Sequence, residues 1–271
     1  MPRITEYRPT SVPRYMELVQ KLRRKAGHPL WFRGARSVQL PLTPTLYRHP
    51  TQDSRVELEQ LERQLIARFR QRSLPYHTRN LDNDWEALFF MQHYGVPTRL
   101  LDWTENPLVA LHFALMTSSS KPTSNRKRVA RAPAVIWVLD PVAWNREALS
   151  HVSYSGAPLT PGDEHLKGYA PQSTSTAMGE HPVALYGAHN SPRIVAQQGV
   201  FTIFGTGNTS MCNLVRSGVF QRQALCCILI HSLRIELMRE ALLDQGMTES
   251  TVFPDLEGLA RETKRHFGFE G

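Results

Sequence analysis

The sequence contains little cysteine and no long apolar segment. Of its 271 residues three are cysteine, and two of them, Cys226 and Cys227, lie inside the apolar run ALCCILI, which predicts a buried strand. Without a CxxC or a paired Cys/His spacing, neither a disulfide framework nor a zinc site is expected, and this usage fits a reducing compartment. No run approaches the roughly 18 apolar residues of a membrane span, and the first ten residues lack the apolar core of a secretory signal. We therefore expect a cytoplasmic protein with no membrane partner and no bound metal.

Several catalytic and nucleotide-binding motifs are missing as well. The chain has no GxGxxG, no GxxxxGK[ST], no HExxH and no GxSxG. These absences argue against the two phosphate-cradling loops, the common zinc-peptidase helix and the nucleophile elbow. Most of the 11 histidines also have no partner at metal-ligand spacing.

Positive charge is abundant and unevenly distributed. The net charge is +8, and residues 1–80 alone hold 16 Lys and Arg against 6 Asp and Glu. A second basic cluster, SNRKRVAR, occupies residues 124–131. This asymmetry favours an anionic partner, namely nucleic acid, a dinucleotide or an acidic protein. The alternative is that the charge only keeps the protein soluble.

The chain is predicted to form one α+β domain over residues 1–271. Its length and its hydrophobic fraction of 41% permit a large core. Helices and strands alternate irregularly, which favours a mixed sheet flanked by helices over a doubly wound sheet. Residues 1–28 form a helical lead-in, and 117–132 and 150–190 form long loops, the second a candidate lid. Predicted helices cover 13–26, 55–73, 141–149, 233–246 and a segment after 255; predicted strands cover 30–34, 98–103, 134–140 and 223–232, with two more within 191–207.

The helix predicted at 55–73 is amphipathic. Leu58, Leu65 and Ile66 are assigned to its buried face, and Glu59 and Glu62 to its solvated face, where charged residues pair at i,i+4 spacing.

The densest mixture of polar and large apolar side chains lies between residues 85 and 116. It is predicted as a helix capped by Asp82 or Asp84, a Gly-Val-Pro turn, a strand, and a second helix capped by Asn106 with Pro107 in its first turn. Apolar walls that position a few polar groups are typical of a ligand site. The polar residues fall at the ends of these elements, where functional groups are common: Gln92, His93, Arg99, Asp102 and Thr104.

Four motifs in order resemble the FRG domain family, named for a Phe-Arg-Gly sequence. The motifs are WFRG at 31–34 followed by LPLTPTLYR, then FFMQHYGVPTRLLDWTENPLVALHFA at 89–114, RIVAQQGVFTI at 193–203, and TVFPDLEGLARE at 251–262. The resemblance covers residues 30–268, and the segment 150–190 is a departure from it.

The order of these motifs is similar to that of ADP-ribosyltransferases, which implies an ADP-ribosyltransferase-like fold and NAD as the substrate. In that comparison Arg33 takes the place of the first-strand Arg or His. Asp102 and Thr104 stand where the transferases usually have Ser-Thr-Ser, and a Gln197-Gln198 pair stands where a catalytic Glu is expected. A neutral amide can hold a ribose hydroxyl but supplies no charge. Asp102 is therefore the carboxylate on which an enzymatic function depends.

The leading hypothesis is an ADP-ribosyltransferase, of the kind found in bacterial toxins or anti-phage effectors, that modifies nucleic acid or protein. Arg33 and Arg99 would bind the pyrophosphate, Asp102 would face the developing positive charge, and His93 would orient the acceptor or the ribose hydroxyls together with Gln92. RNA or DNA would bind through the basic N-terminal region, and a protein partner or antitoxin is a further expectation. The remaining predicted site residues are Gly34, Trp103 and Thr104 for NAD binding and Gln198 for catalysis.

Other functions stay open at this point. The chain could be a non-enzymatic nucleic-acid-binding module, a hydrolase that uses His93 and Asp102 as an acid/base pair, or an interaction domain. Purely structural roles are the alternative for single residues: Asp102 pairing with Arg99, Trp103 packing in the core, and Gln198 forming a strand bend.

Overall fold

The computed structural model describes residues 4–52, 54–77, 81, 83–117, 133–152, 154–171, 178–188 and 191–269. Asp82, the basic cluster at 124–131 and nearly all of the loop predicted at 117–132 lie outside this part of the chain. In the part that is described, no helix has the length and apolar character needed to cross a membrane.

A seven-stranded mixed sheet organises the fold, with the strand order β1-β7-β4-β2-β3-β6-β5. β1 pairs with β7 in parallel, and the other neighbouring pairs are antiparallel. The strands are β1 (Glu6–Tyr7), β2 (Trp31–Ala35), β3 (Leu100–Thr104), β4 (Ala134–Leu139), β5 (Val183–Leu185), β6 (Gly199–Ile203) and β7 (Leu225–Ile230). This arrangement confirms the predicted α+β class with a mixed sheet flanked by helices.

The central strands are buried on both faces, which explains their unbroken apolar sequences. All six residues of β4 are buried. Because side chains alternate along a strand, Val135 and Trp137 enter the apolar cluster on one face of the sheet, and Ala134 and Ile136 enter the cluster on the other. Cys227 is buried in the same way within β7, as the sequence predicts.

Helices cover both faces of the sheet. On one side pack α1 (Val12–Ala26), α4 (Pro107–Met116) and α8 (Ile235–Asp244); on the other pack α2 (Arg55–Ser73), α3 (Asp84–His93), α5 (Pro141–Ala148) and α7 (Met211–Ser217). Three further helices, α6 (Pro192–Gln197), α9 (Glu249–Val252) and α10 (Leu256–His266), lie beside α4, and α9 contacts both α6 and α10.

The helix boundaries agree well with the sequence predictions. Helix α2 matches the predicted 55–73, and α1 ends at Gly27, whose φ of 76° is the left-handed conformation that glycine adopts readily. Asn106 caps α4 with Pro107 in its first turn, as predicted. The cap of α3 is Asn83 instead of either aspartate, because its side-chain oxygen accepts a hydrogen bond from Glu86 N at 2.9 Å.

Two segments differ from prediction. Residues 192–197 form α6 instead of a strand, because Ser191 caps the helix by accepting from Ile194 N and Pro192 stands in its first turn. The segment 150–190, predicted as a loop, contains strand β5 and a 3-10 helix at Glu164–Tyr169. Strand β5 completes the sheet edge by pairing with β6.

Candidate functional site

The candidate site lies where β2 and β3 separate. Phe32 and Thr104 form the one register pair between these strands in the described chain. A regular antiparallel ladder would continue with Arg33 opposite Trp103. On its other edge β3 stays paired with β6 along all five residues. A cavity of about 250 Å³ lies at this separation, with walls from both strands and from α3, α4, α6 and β6.

The cavity concentrates polar side chains against an apolar wall. Its size is below the roughly 300–1,000 Å³ of pockets for drug-sized ligands, so it would enclose a small group or one end of a larger ligand. Phe32, Val109 and Phe113 contribute apolar surface. Seven of the nine predicted site residues line it: Arg33, Gly34, Gln92, His93, Asp102, Trp103 and Thr104.

Asp102 sits in the middle of β3 with its side chain 55% exposed. Gln92 Nε2 donates a hydrogen bond to its carboxylate at 2.7 Å, and the Gln92 carbonyl in turn accepts from the Thr98 hydroxyl at 2.5 Å. The Thr98 bond fixes the orientation of the amide, so that Gln92 presents its donor to the carboxylate. The carboxylate of Asp102 is thus hydrogen-bonded by a neutral amide, and the cation that pairs with it in the described part of the chain is Arg33, at 3.8 Å.

Arg33 bridges the gap between the two strands. Its Nη1 donates to the backbone oxygen of Asp102 at 2.6 Å and lies 3.8 Å from the carboxylate Oδ2. Burial lowers the pKa of Arg33, and the nearby Asp102 opposes that shift. Because a guanidinium has five N–H donors in a planar fork, Arg33 can close the strand gap and still offer donors to an anion.

His93, the last residue of α3, contributes a titratable group to the cavity wall. Its Nδ1 lies 3.3 Å from the Ser191 hydroxyl. Burial and the charge of Arg193 lower its pKa, against the opposing effects of Asp255 and Asp102. His93 is therefore neutral at pH 7 and able to accept a proton. Among the residues that the structure describes it makes no hydrogen bond to Asp102, although both line the cavity, and the acid/base pair of the hydrolase hypothesis stays a prediction.

The α6–β6 corner brings Gln197 to the cavity instead of Gln198. The Thr104 hydroxyl donates to Gln197 O at 2.5 Å and accepts from Asn106 N at 2.9 Å, which joins β3 to α6 and α4. Gln197 lines the cavity. Gln198 is exposed, outside the cavity wall, in a left-handed conformation with φ of 46°. The structure thus does not bring Gln198 together with the other predicted site residues, and its catalytic role stays a prediction.

Arg99 is also separated from the site. Its side chain is 2% exposed, and its Nε lies 2.9 Å from both carboxylate oxygens of Glu62 on α2. Its other donors reach the backbone oxygens of Phe204 and Tyr169. Burial favours the neutral form, but Glu62 and Tyr47 outweigh it and raise the pKa of Arg99. The structure thus gives Arg99 a structural role instead of the predicted pyrophosphate-binding one, and Asp102 does not pair with it.

Two further predicted NAD-binding residues have strong structural roles. Trp103 is 3% exposed, and its Nε1 donates to the Thr202 hydroxyl at 3.1 Å, so most of this side chain belongs to the core. At Gly34, α4 crosses so closely that an added Cβ would lie 1.9 Å from Ala110 O and 2.7 Å from Ala114 N. The glycine of the WFRG motif therefore permits helix–sheet contact.

Arg193 lines the cavity from α6 and is not among the residues predicted from the sequence. Its position at the start of the motif RIVAQQGVFTI was the available signal. Misassignment of that segment as a strand hid the helical spacing that places Arg193 and Gln197 on the same cavity wall.

No group of three or more His, Cys, Asp or Glu side chains is placed to hold a metal ion in the described part of the chain. Neither the curated proteins nor the solved structures compared with the chain gave a match. The family model of the FRG domain matches residues 28–123, a range that contains Arg33, Gln92, His93 and Asp102 but not α6. The predicted resemblance is confirmed over this range, and the chain is identified as one that carries an FRG domain.

Proposed function

We propose that the cavity binds the nicotinamide-ribose end of NAD and that the protein transfers ADP-ribose to an acceptor. The observation that carries the proposal is the setting of Asp102. Its carboxylate is held by the neutral amide of Gln92 inside a cavity whose arginines, Arg33 and Arg193, suit an anionic ligand. A fixed negative charge beside arginines suits a substrate with negative phosphates and a reaction centre that becomes positive.

The chemistry follows from this charge arrangement. When the bond between ribose C1′ and the nicotinamide nitrogen breaks, its electron pair leaves with nicotinamide, and positive charge develops on the ribose. Asp102 would stabilise that charge electrostatically. The acceptor nucleophile then bonds to C1′ and loses its proton. His93 is suited to receive this proton because its lowered pKa keeps it neutral at pH 7.

The positive charge of the chain supports an anionic acceptor, and nucleic acid is the acceptor that we propose. The outward face of α1 exposes Arg14, Lys21, Arg24 and Lys25. Arg23 of the same helix holds α1 close to the cavity. Its Nη2 donates a hydrogen bond to the backbone oxygen of Glu105, the residue after β3, at 2.7 Å. Phosphate contacts to such a surface would supply affinity that falls with added salt.

The test is to incubate the protein with NAD and measure nicotinamide release, with RNA, DNA or cell lysate as the acceptor source. Replacement of Asp102 by Asn should lower the rate about 100- to 1,000-fold, the scale on which a preorganised electrostatic group contributes. Asp244→Asn makes the same charge change at an exposed position on α8 and should leave the rate unchanged.

The outcomes separate the two parts of the proposal. Absence of nicotinamide release with every acceptor source, from protein that is folded, would exclude the transferase function. Release that is the same for wild type and Asp102→Asn would leave the activity but remove Asp102 from it.

A further inference from the structure

Arg193 is presented to the cavity by a part of the chain outside the family match. Its guanidinium carbon lies 4.5 Å from the ring centroid of Phe253, and that of Arg261 lies 4.9 Å from the same centroid. Stacking on an aromatic ring is a favourable contact for a guanidinium and limits its orientations. Phe253, at 9% exposure, is therefore a firm support for Arg193.

The support itself is fixed by contacts between α6 and the C-terminal helices. Gln197 Nε2 donates to Val252 O at 3.0 Å, which joins α6 to α9. Glu249 of α9 pairs with Arg265 of α10 at 2.9 Å. A Cβ added to Gly258 would lie 1.9 Å from Phe253 O, so α10 packs directly on the Phe253 backbone. The position of Arg193 is thus set by these helices before any ligand binds.

The electrostatic state of Arg193 differs from that of three ion-paired arginines in the chain. Arg99, Arg261 and Arg265 each have a carboxylate within 2.9 Å. Arg193, although half-buried, has no ion pair in the described part of the chain. Burial lowers its pKa, while Asp255 and Asp102 act in the opposite direction without contacting it closely enough to form a salt bridge. A preorganised, partly desolvated guanidinium without its own carboxylate is suited to bind phosphate.

We propose that Arg193 binds the pyrophosphate of the substrate at the mouth of the cavity, in the role that the sequence assigns to Arg99. The identity of the substrate as a dinucleotide rests on the proposed function. The anion contact itself follows from the placement of Arg193, and Arg33 provides the second cation of the same cavity.

Calorimetric titration with two fragments of NAD tests this contact. ADP-ribose contains the pyrophosphate and lacks nicotinamide, whereas nicotinamide riboside lacks phosphate. The Arg193→Gln variant should bind ADP-ribose about 10- to 100-fold more weakly than wild type, the scale of one charged hydrogen-bonded contact. Its affinity for nicotinamide riboside should be unchanged.

Arg261→Gln is the matched control. It removes a guanidinium from the same ring of Phe253, but Arg261 does not line the cavity. Its affinity for ADP-ribose should equal that of wild type. Thermal unfolding of both variants shows whether the α6–α9 packing is retained.

Four outcomes decide the inference separately from the proposed function. If wild type does not bind ADP-ribose, or if Arg193→Gln binds it as tightly as wild type does, the inference is overturned even where nicotinamide release persists. An equal loss in both arginine variants also overturns it, because the effect would then come from the packing of Phe253. A selective loss in Arg193→Gln supports it even if NAD is never cleaved, in which case the transferase function alone fails.

Discussion

Replacement of Gly34 by alanine should destabilise the protein strongly, because backbone leaves no room for a methyl group there. The added Cβ would lie 1.9 Å from Ala110 O and 2.7 Å from Ala114 N. Both atoms belong to the backbone of α4, so no rotamer change can relieve the contact. To reach van der Waals distance, the helix would have to move away from β2 by roughly 1.5 Å.

The size of the effect can be estimated from overpacked cores. Inserting a methyl group into a packed site costs about 1–3 kcal/mol, and here the rigid helix backbone places the cost near the upper end or above it. A loss of about 3 kcal/mol corresponds to a fall in Tm of roughly 6–12 °C for a chain of this size. The displacement would also disturb the cavity wall that Gly34 and Phe113 of α4 share, so ligand affinity should fall with stability.

Gly162→Ala provides the control. A Cβ at Gly162 would meet nothing within 4 Å, and its φ is not in the left-handed region. This variant should match wild type or gain up to about 1 kcal/mol from a less flexible unfolded state. Thermal unfolding of the two variants in parallel is the assay. If Gly34→Ala unfolds at the same temperature as Gly162→Ala, α4 does not pack on β2 as described.

Two further predictions concern buried titratable side chains. Arg99→Met should lower the free energy of unfolding by about 3–5 kcal/mol in urea titrations, because it leaves the Glu62 carboxylate buried without a partner. The control is Arg63→Met, which removes the pair between Arg63 and Glu59 on α2 and should cost less than about 1 kcal/mol. Equal losses in the two variants would contradict the structural role of Arg99. His112 is 2% exposed, and burial lowers its pKa to about 4, with Glu249 opposing the shift. Its folded-state pKa is below the unfolded value of 6.5, so the unfolded chain binds the proton more tightly. The contribution of neutral His112 to the free energy of unfolding is therefore complete above pH 6.5. It is lost as the pH falls towards 4, by up to about 3 kcal/mol. Urea unfolding at several pH values should show that the free energy of unfolding falls less at acid pH for His112→Leu than for wild type. Identical pH profiles would exclude the lowered pKa of His112 as a cause of that fall.

The site could be predicted from sequence where local elements determine the geometry. A helix, a turn and a strand follow each other within residues 84–104, so Gln92, His93 and Asp102 are brought together by short-range connections. The fully apolar strand at 134–139 was equally clear, because a strand buried on both faces has no polar alternation.

The errors arose where distant partners decide the outcome. Arg99 is buried because Glu62 lies on α2, 37 residues earlier in the chain. The spacing of Leu58, Glu62 and Ile66 at i,i+4 places this carboxylate on the buried face of the helix, so its assignment to the solvated face was wrong. That spacing was visible in the sequence and indicated a buried carboxylate, which requires a partner.

The segment at 191–203 shows how β-branched residues can mislead. RIVAQ has strand-forming side chains, yet the Ser191–Pro192 pair is a helix start signal that outweighs them. The consequence for the site is large, because α6 supplies Arg193 and Gln197. Strand β5, with three residues inside a segment rich in Gly, Pro and Ser, has no sequence pattern of its own and forms by pairing with β6.

A crystal structure of the Asp102→Asn variant with NAD bound would test the central claim most directly, because the variant should bind NAD and consume it about 100- to 1,000-fold more slowly than wild type. We predict that nicotinamide and its ribose occupy the cavity between β2, β3 and α6, with ribose C1′ within roughly 4 Å of the side chain at position 102. The phosphates should lie at Arg33 and Arg193. NAD bound elsewhere on the protein, or bound with its phosphates against position 102, would contradict the account.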